Sequence, residues 1–258
     1  MIGASRSGSA TTEAASRTRL GALAFALLVA FALPASASAG SPPAVDGSVR
    51  LSNERTLTRW AHPVEAAPIR RMPRQGARRI VATHYSTEDG FAEVYLVLRS
   101  WSDPKGHGWL QVRIPMRPNG RVGWVRSSAL GPLYHVRTQL VVDKSKHRAT
   151  LYERGRQIWN APVGIGKPRT PTPTGRFWIR EKFRTSDPGG LYGPVAFGTS
   201  DYSVLTDWPG GGVIGIHGTN EPGLIPGAPS HGCIRVRNRA VRQLWRLMPI
   251  GTPLLIRR

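Results

Sequence analysis

The chain has one cysteine, Cys233, in the run Ser230-His231-Gly232-Cys233-Ile234-Arg235. A thiol needs a base to become a thiolate at neutral pH, and a nearby imidazole supplies one. Two histidines are in question. His231 is so close in sequence that it cannot easily turn back onto the thiol. His217 ends the β-type run Gly212 to His217, GVIGIH, and arrives from another strand. His217 is therefore the better general base, and His231 is expected to orient the loop by hydrogen bonds. Gly232 permits a sharp bend with successive amides left open, where a tetrahedral oxyanion could bind. A buried, inert cysteine is the bland alternative. Reading His217, His231 and Cys233 as zinc ligands gives poor tetrahedral spacing, so no metal is expected. A thiol acyl-transfer site needs no cofactor, and none is signalled. The histidines at 62, 84, 107, 135 and 147 fall in turns or β stretches and read as surface or packing residues.

Strands must carry these groups. From about Tyr134 the runs VRTQLVVD, RATLYERG and RQIWNAPVGIG read as an antiparallel meander, linked by Lys144 to His147 and by Arg154-Gly155. Lys167 to Gly175, KPRTPTPTG, is a proline-braked loop that cannot continue a ladder. RFWIR returns as a strand, and Thr185 to Gly193 is a long loop. After the thiol, Val241, Leu244, Trp245 and Met248 fall at helical spacing, with Asn238 as the expected N-cap. Thr252 to Ile256 reads as a last strand. Upstream, from about Arg78, short β-rich runs alternate with turn material. The tail W-L-Q-V…N-G-R-V-G-W-V resembles bacterial SH3-like domains. That likeness implies a small β-barrel over 78–132, serving for wall binding or as a spacer. Residues 40–77, beginning GSPPAVDGS, read as a linker.

Export is expected. Arg6, Arg17 and Arg19 precede the apolar run Leu20 to Leu33, and the pattern Ala37-Ser38-Ala39 follows. That order is a secretory signal peptide, residues 1–39. The run falls short of the roughly 20 apolar residues of a bilayer span, although an uncleaved N-terminal membrane anchor is the alternative. The product is expected in the cell wall or extracellular space. A single cysteine excludes a disulfide scaffold within one chain. At 258 residues and 40% hydrophobic composition the chain can bury one large core or two small ones. Thirty-six Lys and Arg against fifteen Asp and Glu give a formal charge of +21. Such a charge raises the question of nucleic acid. Export, and the lack of a helix-long basic stripe, argue against it. Anionic cell-wall polymers are the candidate partners, beside a plain solvated surface charge.

At the chemical residues the chain resembles the L,D-transpeptidase catalytic domain family. The resemblance rests on His217-Gly218-Thr219, on Ser230 to Arg235, on Val163 to Phe177 (V-G-I-G-K…T-P-T-P-T-G-R-F) and on Tyr192-Gly193-Pro194. Relatives often carry an acidic residue where Ala240 stands. The resemblance implies a mainly β, sandwich-like catalytic domain over 134–258 with a short C-terminal helix. It also implies a reaction on peptidoglycan stem peptides. The Cys233 thiolate attacks the bond before the terminal D-alanine of a donor stem, and the acyl group passes to a diamino-acid amine of a second stem. By the same resemblance His217 is the general base, oriented by the carbonyl of Gly218, and the Gly232 and Cys233 amides form the oxyanion hole. Ser230 and His231 position the loop, Arg235 braces it or meets a carboxylate, and Tyr192 and Asn238 are assigned to substrate. A thiol of this kind is expected to be a carbapenem target. Two alternatives stay open: an L,D-carboxypeptidase with water as acceptor, and a non-catalytic cell-wall-binding protein. The oligomeric state is not legible.

Overall fold

A computed structural model describes residues 45–207 and 209–258. The expected signal peptide and the first residues of the expected linker lie outside them. The described chain is mainly β, with one short helix near the C-terminus. Among the described residues no helix is long and apolar enough to cross a membrane.

The N-terminal sheet has eight strands: β1 (Val49–Arg50), β2 (Thr58–Ala61), β3 (Pro68–Arg70), β4 (Arg79–Ala82), β5 (Tyr95–Ser102), β6 (Gly108–Arg113), β7 (Val122–Arg126) and β8 (Tyr134–Val136). Their order is β4-β3-β7-β6-β5-β2-β8, with β1 also on β5. Ala61, Ile69, Tyr95, Val97, Val112 and Val125 form its core. Two boundaries read from sequence are corrected. Residues 40–77 are not a linker, because β1, β2 and β3 lie there and Ala61 and Ile69 are fully buried. These strands are two to four residues long, too short to write an alternation into the sequence. The sheet also does not end at 132, since β8 pairs with β2.

The C-terminal domain therefore starts at β9 (Thr138–Asp143). It continues through β10 (Arg148–Glu153), β11 (Arg156–Gly166), β12 (Gly175–Trp178), β13 (Phe183–Arg184), β14 (Val195–Tyr202), β15 (Val213–His217), β16 (Gly227–Ser230), β17 (Ile234–Val236), the helix α1 (Asn238–Leu247) and β18 (Pro253–Arg257). The expected meander is β9-β10-β11, antiparallel throughout. The long strand β11 joins two halves, pairing with β10 over its first part and with β17 and β16 near its end. One half is thus β12-β18-β9-β10-β11, and the other runs β11-β17-β15-β14-β13. Leu140, Leu151, Phe197, Ile216 and Ile234 fill the core between them, closed by Val241 and Leu244 of the helix and by Met248 just after it. Isoleucines at 216 and 234 face this core, so the intervening positions 215, 217, 233 and 235 face the other side of the sheet.

The two sheets are pinned together by buried polar contacts. The Arg180 and Glu93 side chains are both fully buried and form an ion pair, with Arg180 Nε donating to Glu93 Oε1 at 2.8 Å. Arg180 Nη1 also reaches Glu88 Oε2 at 2.8 Å. Burial works against the guanidinium charge, but the two glutamates hold its proton more tightly than usual. Trp178 Nε1 donates to the Val94 carbonyl at 2.7 Å. Arg117 Nη2 donates to the carbonyls of Ser203, Leu205 and Gly211 at 2.9–3.2 Å.

Candidate active site

Cys233 and His217 come together through strand register. β15 and β17 run parallel, with Ile216 opposite Ile234 and His217 opposite Arg235. One step back, the Gly215 amide donates to Cys233 Sγ at 3.3 Å. Gly215 has no side chain to separate the two reactive groups. A Cβ built there would lie 3.7 Å from His217 Cδ2 and 3.8 Å from Cys233 Sγ. The thiol and the imidazole thus flank one small space on the same sheet face.

The imidazole has a fixed tautomer. His217 Nδ1 lies 2.6 Å from the Gly218 carbonyl oxygen, which can only accept, so Nδ1 carries the proton and Nε2 is left as the base. His217 is 3% exposed, and burial pulls its pKa down to about 4. Burial also raises the Cys233 thiol above its ordinary value, against the lowering effects of the Gly215 amide and the Arg235 charge. Burial thus favours the uncharged form of each partner.

The bend before the thiol is held at several points. Gly232 has φ +132°, and a Cβ there would meet Ile214 Cδ1 at 2.7 Å. Ser230 Oγ donates to the Cys233 carbonyl at 2.6 Å and accepts from the Gly232 amide at 3.1 Å. This corrects one expectation: the Gly232 amide is already engaged by Ser230. Thr172, from the proline-braked loop, donates from Oγ1 to the Gly232 carbonyl at 2.6 Å and accepts from the Gly166 amide at 2.9 Å. Sequence reasoning missed Thr172 and Gly215. Thr172 lies in a loop read only as a strand breaker, and Gly215 carries no functional group.

The remaining expected residues divide between cleft and support. Tyr192 stands edge-on to His217, with ring centroids 4.8 Å apart. His231 is exposed and lines a cleft beside Cys233. Arg235 lines the same cleft, and its Nη1 donates to Glu221 Oε2 at 2.6 Å. Arg235 is 9% exposed, which makes it more than a surface salt bridge. Asn238 differs from expectation twice. Arg237 occupies the N-cap position of α1, and Asn238 Oδ1 instead accepts from the Thr219 amide at 2.8 Å. Asn238 Oδ1 also abuts the close approach of Gly193 to Gly218. Asn238 thus braces the turn that carries the Gly218 carbonyl and lines neither cleft beside Cys233.

Two clefts meet at the thiol. One, of about 530 Å³, is lined by Asp89, Phe91, Phe183 and Arg184 on its far side. The other, of about 270 Å³, is lined by Ser203, Leu205, His231 and Arg235. Tyr192, Val213, His217 and Cys233 line both. Asp89 and Phe91 come from the loop between β4 and β5, and Phe91 stacks on Phe183 at 5.5 Å. Among the described residues no cluster of side chains could hold a metal ion.

Fold and site together define a mainly β protein with a part-buried thiol just ahead of one strand and an imidazole at the end of its parallel neighbour. The family model of the L,D-transpeptidase catalytic domain matches residues 137–256. Two relatives carry the name "Putative L,D-transpeptidase YkuD". The Bacillus licheniformis protein is 37% identical over 114 residues, which cover 44% of this chain and 62% of that protein. The Bacillus subtilis protein is 34% identical over 125 residues, covering 48% and 69%. The solved catalytic domain of the E. faecium L,D-transpeptidase is 26% identical, with 46% of this chain and 96% of that one covered and a TM-score of 0.35. The chain belongs to the L,D-transpeptidase catalytic domain family. Its match spans less than two thirds of the Bacillus licheniformis relative's length.

Proposed function

We propose that the protein is an exported peptidoglycan L,D-transpeptidase with Cys233 as nucleophile. The observation that carries this reading is the Cys233–His217 pair at the junction of two clefts. Sγ attacks the carbonyl carbon of the donor stem's third residue while its proton passes to His217 Nε2. The Cys233 amide faces the developing oxyanion. Collapse expels the amine of D-alanine, which takes the proton from His217, and leaves a thioester on Cys233. A diamino-acid amine of a second stem then attacks the thioester. His217 accepts its proton, the thiolate leaves and is reprotonated, and a new amide cross-links the two stems.

Room for an acceptor separates this reading from hydrolysis. A carboxypeptidase needs space for one stem and a water, whereas a second cleft opening on the same thiol suits a second stem. Export rests on the N-terminal charge and apolar pattern, and contact with anionic wall polymers rests on the +21 charge. The test is purified protein with a disaccharide-tetrapeptide, followed by mass spectrometry, with Cys233→Ala alongside. Dimers with loss of D-alanine, absent from the variant, are expected. Shortened monomer alone would make the protein a carboxypeptidase. Wall cross-linking unchanged in Cys233→Ala would leave a wall-binding protein.

A further inference from the structure

Two acids at the larger cleft are not used by the chemistry at Cys233: Asp89 lines it, and Glu181 packs against Gly198, which also lines it. Glu181 is 1% exposed, and its Oε2 has no hydrogen-bond partner among the described residues. Asp89 is exposed, lies in the segment between β4 and β5, and lines the cleft. Burial, with Asp89 beside it, pushes Glu181 up to about 7. The Asp89 carboxyl is an acidic group in the cleft of a chain of net charge +21.

A floor without side chains connects Glu181 to the thiol. The amides of Arg180 and Glu181 both donate to the Gly198 carbonyl, at 2.9 and 3.2 Å. A Cβ on Gly198 would lie 2.7 Å from Glu181 Oε2. Gly198 pairs with Gly215 across β14 and β15, and Gly215 borders Cys233 Sγ. With neighbouring strands about 4.8 Å apart, this trough runs about 10 Å from the thiol to Glu181, and Asp89 lines the same cleft. A diamino acid joined to Sγ through its carbonyl has its far nitrogen six bonds beyond the acyl carbon. Fully extended, that places the nitrogen about 9 Å from sulfur. The lengths match.

We propose that Asp89, backed by Glu181, is a subsite for the side-chain ammonium of the donor stem's diamino acid. The proposal rests on the acyl-transfer reading of Cys233. It concerns the donor and not the acceptor. An attacking amine must be neutral and within about 3.5 Å of the acyl carbon, whereas these acids stand far off and hold an amine charged. Arg180 does not compete for the pair, being committed to Glu93 and Glu88. The subsite makes the loop between β4 and β5 a determinant of substrate choice, because Asp89 lies outside residues 137–256.

The test compares two disaccharide-tetrapeptides, with diaminopimelate or 2-aminopimelate at the third position. The second lacks only the far amine. Acylation of Cys233 is followed by intact mass, with D-alanine release as the rate, in wild type and Asp89→Asn. Wild type is expected to favour the diamino donor about tenfold in kcat/KM, and Asp89→Asn to bring the ratio within about twofold. Equal rates in wild type overturn the subsite and leave the transpeptidase reading standing. Acylation by neither donor overturns that reading and the subsite with it. A ratio that survives Asp89→Asn overturns the assignment to Asp89.

Discussion

Acidification tests the neutral state of His217 directly. Burial holds its folded-state pKa at about 4, against 6.5 for an exposed imidazole. The folded value is the lower one, so the unfolded chain takes up the proton first as pH falls. Stability from this residue is therefore present above pH 6.5 and is lost on the way down to about 4. The 2.5-unit difference corresponds to about 3 kcal/mol. Glu181 acts with the opposite sign. Its value is raised to about 7, so its contribution is present at low pH and is lost as pH rises through 7. Wild-type stability alone would show the two partly cancelling. The measurement is urea unfolding between pH 8 and pH 4, for wild type and His217→Asn, whose amide N–H stands where Nδ1 met the Gly218 carbonyl but does not titrate. The gap between the two proteins is expected to move by about 3 kcal/mol over that range, against wild type at the acid end. In the same window, single-turnover acylation of Cys233 should show no loss between pH 8 and 6. A constant gap, or an acidic limb in acylation near pH 6.5, would refute the argument, since either result means that the imidazole titrates as if exposed.

Three further outcomes are expected. Thr172→Val keeps the shape but strips the Gly232 carbonyl and Gly166 amide of their shared hydroxyl; it should lower stability by about 1–3 kcal/mol and slow acylation more than it raises KM, checked by thermal unfolding and single-turnover kinetics. A carbapenem in excess should add its mass to wild type and not to Cys233→Ala; absence of the adduct in wild type by intact-mass analysis would contradict an accessible nucleophilic thiol. Glu93→Gln removes the charge facing the fully buried Arg180 and should cost about 3–5 kcal/mol; unfolding by denaturant with no shift in midpoint would show that the sheets do not depend on that pair.

Much of the chemistry was legible because it resides in residue types rare in this chain. The only thiol, its Ser-His-Gly approach and a histidine ending an apolar strand pointed to one site. The meander and the helix were legible too, since their apolar positions repeat at strand and helix periods over enough residues. The first strands of the N-terminal sheet were not. At two to four residues each, they have no period to read, and their burial depends on partners far along the chain, as with β2 between β5 and β8.

The sequence alone determined which atoms could react, because the chain has one thiol and a histidine that ends a separate strand. Tertiary structure alone decided the rest. It committed the Gly232 amide to Ser230, turned Asn238 from cap to brace, and brought Thr172 under the bend. It also set Asp89, more than one hundred residues earlier in the chain than Cys233, in the wall of the same cleft. The physical reason is that hydrogen bonds and burial are satisfied by whatever lies near in space. Neighbours in space come from sheet pairing over long separations, which a local pattern does not record.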